Sequence, residues 1–111
     1  MNRLLEYRAG WVSLAAALLL FCAPQVHAQS AAAKTYQMKC AACHAADGSS
    51  SEVGKKLGAH DFHSSQVQGE SDDEINQIIA KGKNKMPAYE KSLKPDEIKG
   101  LVAYVRELSK K

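Results

Sequence analysis

Apolar residues fall into one long run and two helical stripes, separated by a polar, glycine-rich middle. The run extends from Trp11 to Ala23 and is interrupted only by Ser13. Ile75, Ile78 and Ile79 form the first stripe, at a spacing that puts all three on one helix face. Ser71-Asp72-Asp73-Glu74 precedes it and has the form of a capping box, and Gly82 is placed to end that helix. The second stripe is Ile98, Leu101, Val102, Val105 and Leu108, with Tyr104 on its flank. Pro95 suits the first helical position before it.

A further helix is predicted from Ser30 to about Cys43. Ser30 is a reasonable N-cap, and Ala31, Ala32 and Ala33 are strong helix formers. Tyr36 and Cys40 share a face there, four residues apart. From Ala45 to Gly69 the pattern reads as loop, marked by Gly48, the run Ser49-Ser50-Ser51, Gly54 and Gly58. One helical turn is predicted around Ser64 to Val67. Lys83 to Lys91 reads as a loop containing Met86-Pro87. No segment reads as strand and no repeat is visible. The pattern predicts an all-α chain of three or more short helices joined by irregular loops.

The apolar run changes the picture of the N-terminus. Arg3 and Arg8 make a basic start that Glu6 partly offsets. The run is shorter than the roughly 20 residues that span a bilayer, and Val26-His27-Ala28 offers small residues at the positions a signal peptidase inspects. Residues 1–28 are therefore read as a cleaved signal peptide, with an uncleaved membrane anchor as the alternative. Phe21 before Cys22 argues against lipidation. Residues 29–111 then form one small domain, whose thin core calls for a staple or a cofactor. It keeps two cysteines, Cys40 and Cys43, and two methionines, Met38 and Met86. Formal charge is +3 for the whole chain. Removing two arginines and one glutamate with the leader leaves +2, no basis for nucleic-acid binding.

Cys40-Ala41-Ala42-Cys43-His44 supplies the chemistry. Two cysteines three apart with a histidine directly after the second form the attachment signature of a c-type haem. Thiols on one helical turn can each add to a vinyl group on the same porphyrin edge, giving two thioethers to one haem. The next residue brings an imidazole to the iron. Exported cysteines ordinarily pair as disulfides, but a C-x-x-C loop is too short to staple distant parts of a chain. A zinc site would need four protein ligands, which only His60 or His63 could complete.

The sixth iron position has three candidates: Met86, His60 and His63. Met38 lies on the attachment helix and cannot easily reach the opposite face. Met86 is preferred, because it sits in a loop beyond a glycine-terminated helix and Pro87 holds it towards extended geometry. Core filling is the alternative use of an isolated methionine. His60 and His63 are read as exposed loop histidines.

The chain resembles a small class I bacterial cytochrome c. The resemblance rests on Cys40-Ala41-Ala42-Cys43-His44, on Gly82-Lys83-Asn84-Lys85-Met86-Pro87-Ala88-Tyr89 and on Ile98-Lys99-Gly100-Leu101-Val102-Ala103-Tyr104-Val105, in that order. It implies a fold wrapped around one covalent haem c, with His44 and Met86 as axial ligands. It also implies that the first and last helices cross so that Tyr36 meets the Leu101/Tyr104 region, and that the protein carries single electrons rather than acting as an enzyme. Location would be the periplasm, with no stable membrane insertion, as a monomer serving redox partners. Lys55, Lys56, Lys81, Lys83 and Lys85 would either steer an acidic partner or form a solvated face. Val53 to Gly58 lacks the proline that many members carry there, so another backbone carbonyl is expected to accept the His44 proton. The rival reading is a haem protein with a labile or open sixth position that binds gas or peroxide.

Overall fold

The computed structural model describes residues 23–111, with side chains from residue 27 onward. Residues 1–22, which hold most of the expected leader, lie outside the described residues. Six helices follow in order: α1 (Ala23–Lys39), α2 (Ala41–His44), α3 (Glu52–Lys56), α4 (Ser65–Gly69), α5 (Asp72–Lys81) and α6 (Pro95–Leu108). No strand occurs among the described residues. A single bridge pairs Lys83 with Met86. The all-α expectation holds.

The two C-terminal helices form where the pattern put them. Ser71 accepts from the Glu74 N–H at 3.2 Å and the Glu74 carboxylate accepts from the Ser71 N–H at 2.6 Å, completing the box that opens α5. Gly82 ends it at φ 76°. Pro95 opens α6, whose buried stripe is Ile98, Leu101, Val102, Val105 and Leu108.

The N-terminal half departs from expectation in two places. The helix predicted for Ser30 to Cys43 begins by Ala23 and breaks at Cys40, where φ is −119°. Ser30 is thus interior, and its hydroxyl donates to the His27 carbonyl instead of capping. The stretch read as loop contains α3, because Ser51 accepts from the Gly54 N–H at 3.0 Å and so caps a new turn. Glu52 and Lys55–Lys56 sit at the ends that favour their charges. The predicted turn near Ser64 is α4.

α6 is the hub of the core. α1 crosses it near Ala32 and Gly100. Tyr36 is buried there, its ring edge-on to Tyr104 with centroids 5.2 Å apart. α5 packs on another side through Ile75 and Ile79. Arg106 fastens the α4–α5 corner to α6, donating to Asp72 at 2.8 Å and to the carbonyls of Val67 and Glu70.

Candidate functional site

A cavity of about 170 Å³ opens between the N-terminal and C-terminal helices. Cys40, Cys43 and His44 line it from one segment, and Met86 and Pro87 from another. All four residues singled out in the sequence therefore face the same space. Leu57, Phe62, Val67, Ile75, Ile78 and Leu101 contribute apolar walls.

The attachment turn is held by its own backbone and by the serine run that follows. His44 and Cys43 N–H groups both donate to the Cys40 carbonyl, at 2.9 and 3.2 Å. The carbonyls at the end of α2 have no helical partners of their own, and serines supply them. Ser50 N–H donates to His44 O at 3.1 Å and Ser51 N–H to Cys43 O at 2.9 Å. The Ser51 hydroxyl reaches Ala42 O at 2.6 Å. Farther up, the Tyr36 hydroxyl donates to Ala45 O at 2.7 Å. What reads as a polar linker in sequence is the lashing of the motif.

Cys40 and Cys43 do not pair with each other as a disulfide. Burial pushes the Cys40 thiol up to about 11, opposite to the lowered value that thiol–disulfide motifs use. The His44 ring lies 4.9 Å from Phe62, tilted by 30°. Burial, and secondarily the charge of His60, hold its pKa below the ordinary 6.5, keeping it neutral and able to donate a lone pair. Its Nδ1 is buried without a hydrogen-bond partner. No backbone carbonyl accepts from it, contrary to the expectation, and Val53, Gly54 and Lys55, in the segment that lacks the proline, coil into α3. Their carbonyls bind the N–H groups of Leu57, Gly58 and Ala59 instead.

Met86 is fixed by main-chain bonds. Its N–H donates to Lys83 O at 2.9 Å, and Lys83 N–H donates back to Met86 O at 3.2 Å. Gly82 makes this turn possible. A Cβ there would lie 2.6 Å from Met86 O and 3.0 Å from Ala88 N, and a positive φ suits glycine in any case.

The remaining candidates separate cleanly. His60 lines the cavity, and its Nε2 lies 3.4 Å from the Gln66 amide nitrogen. His63 points elsewhere: Nδ1 is 2.7 Å from Asp61 and Nε2 3.1 Å from Leu108 O. Met38 is 66% exposed and lies outside the lining. Sequence reasoning missed Phe62 and included Tyr89 in a motif without a role of its own. Phe62 is a lone aromatic in a polar stretch, and that isolation was the available signal; its ring packs against His44.

Two thiols and an imidazole on one turn, a methionine facing the same space and apolar walls between them fit a covalently attached haem. Fold and site together define a small class I c-type cytochrome. The chain belongs to the family described as cytochrome c oxidase, cbb3-type, subunit III, whose model matches residues 27–105. It is 38% identical over 73 residues to cytochrome c6 of Bryopsis maxima, covering 66% of this chain and 83% of that one. To cytochrome c6 of Nostoc sp. it is 34% identical over 86 residues, 77% of this chain and 76% of the relative. Among solved structures it is similar to the KustC0563 c-type cytochrome, with a TM-score of 0.66 and 34% identity. That match covers 69% of this chain and 95% of the other.

Proposed function

We propose that this c-type cytochrome carries one haem c and shuttles single electrons between redox proteins in the periplasm. The observation that supports this reading is the convergence of Cys40, Cys43, His44 and Met86 on one cavity. Cys40 and Cys43 would form the two thioethers, with His44 and Met86 as axial ligands. When bound, the haem supplies a one-electron couple whose potential depends on ligands, burial and hydrogen bonding.

The chain's own residues set the conditions for that couple. His44 is held neutral. Met86 offers a soft thioether that favours the reduced metal and raises the potential. The apolar walls exclude water. Because both ligands sit on hydrogen-bonded backbone, little has to rearrange when charge changes.

Lys39, Lys83 and Lys85 border the cavity and are exposed, a charge pattern suited to an acidic partner. Lys55 and Lys81 are engaged with Glu52 and Glu90 and contribute less. In this reading residues 1–28 direct export and are removed, and the mature domain works free of the membrane.

The experiment is the visible spectrum of protein matured with haem, oxidised and then reduced. Covalent haem with the weak far-red iron–sulfur band in the oxidised form is the expected result. Covalent haem without that band, together with carbon monoxide binding by native reduced protein, would replace the carrier reading by a ligand-binding one. No attached haem would overturn both.

A further inference from the structure

Tyr89 ties the loop carrying Met86 back to the segment carrying Cys40. Its N–H donates to Ile79 O at 3.1 Å, and the next N–H, of Glu90, donates to Ala80 O at 3.1 Å. These are carbonyls that the end of α5 leaves without helical partners. Its own carbonyl accepts from Leu93 N–H at 2.8 Å. The Tyr89 main chain is thus anchored to α5, and its ring packs against the core beside the same cavity.

The hydroxyl then makes a different connection. It donates to Lys39 O at 3.1 Å, across 50 residues of sequence. Lys39 is the last residue of α1, so its carbonyl also lacks a helical partner, and the next residue is Cys40. One side chain therefore joins the methionine loop to the attachment segment through an exposed hydrogen bond at the rim of the cavity that both line.

We propose that Tyr89 is a positioning residue for the sixth iron ligand, its hydroxyl latching the Met86 loop shut. This rests on the reading of Met86 as that ligand. Without the hydroxyl, the loop keeps its anchor on α5 and its turn at Lys83, but loses its tie to the attachment segment. Lys39 O is left without this donor. The loop then swings away more often, and a small external ligand reaches the iron position sooner.

The test is haem-loaded Tyr89→Phe, compared with wild type and Met86→Ala. The readouts are the far-red band, the rate of carbon monoxide binding to the reduced protein, and the urea midpoint. Phenylalanine keeps the ring and removes one hydrogen bond, so binding should quicken about fivefold while the band persists. A purely structural role would lower the midpoint and leave the binding rate at the wild-type value; that outcome overturns the latch. If wild type itself lacks the band, there is no iron–sulfur bond to position, and the latch falls with the reading beneath it. If wild type shows the band, Met86→Ala loses it and Tyr89→Phe binds like wild type, the latch alone falls.

Discussion

A Cβ on Gly54 would lie 1.8 Å from the carbonyl oxygen of Cys43. Helix α3 thus passes directly against the attachment turn, closer than any side chain permits. The same Cys43 carbonyl accepts from Ser51 N–H at 2.9 Å, so the contact is bonded as well as tight.

Gly54→Ala should therefore cost at least about 3 kcal/mol, because only backbone can give way. Gly69, at the end of α4, has nothing within 4 Å of its missing Cβ, and Gly69→Ala should stay within about 1 kcal/mol of wild type. Urea denaturation of the two haem-loaded variants checks the contrast. Equal midpoints would refute the close approach.

Much of this was legible beforehand. α5 and α6 carry local punctuation that agrees with their burial: Ser71 with Glu74, Gly82, Pro95, and stripes at helical spacing. α3 was not legible, because its glycine is there for a tertiary reason. Gly54 looks like a helix breaker until the Cys43 carbonyl is seen beside it. The break at Cys40 was equally hidden, since the surrounding alanines favour continuing the helix. Cys40, Cys43, His44 and Met86 line one cavity, whereas the contacts of Tyr89 and Phe62 are to partners far away in sequence.

Met86→Ala should abolish the far-red band, lower the reduction potential and make carbon monoxide binding by the reduced protein much faster than in wild type. Met86→His should also remove the band and lower the potential, since imidazole favours the reduced metal less than a thioether does. Spectroscopy and potentiometry on both variants test the ligand assignment. A far-red band that survives in Met86→Ala would rule it out.

Tyr36 is 1% exposed, and its hydroxyl donates to Ala45 O at 2.7 Å just past the motif. Tyr36→Phe keeps the edge-on contact with Tyr104 but removes this bond. The expected loss is about 1–2 kcal/mol, measured as a lower urea midpoint with haem content unchanged.

His63 gives stability a pH dependence. The hydrogen bond to Asp61, and more weakly the one to Leu108 O, hold its pKa above the ordinary 6.5. Protonated, its ring donates from both nitrogens, one to Asp61 and one to the end of α6. A raised folded pKa means that this contribution is complete below about pH 6.5 and fades as pH rises through the folded value. Asp61 is held below its ordinary 3.8, mainly by the backbone N–H and ring of His63, so its share is lost only when acid reaches that lower value. His63→Gln should flatten the decline above pH 6.5. An unchanged pH profile in thermal melts would show that the tether carries no protonation-linked stability.

The turn at Lys83–Met86 separates two kinds of freedom. Its outer residues clasp each other through main-chain bonds, and its tip is Asn84-Lys85, with Asn84 at φ 54°, a conformation asparagine tolerates. Lys83 and Lys85 carry their charge on side chains that this clasp does not use. On the carrier reading, substitution at Lys83 or Lys85 would change the charge met by a redox partner and leave the main-chain clasp of Met86 intact. The charge that meets a partner and the backbone that holds the proposed ligand could then change independently.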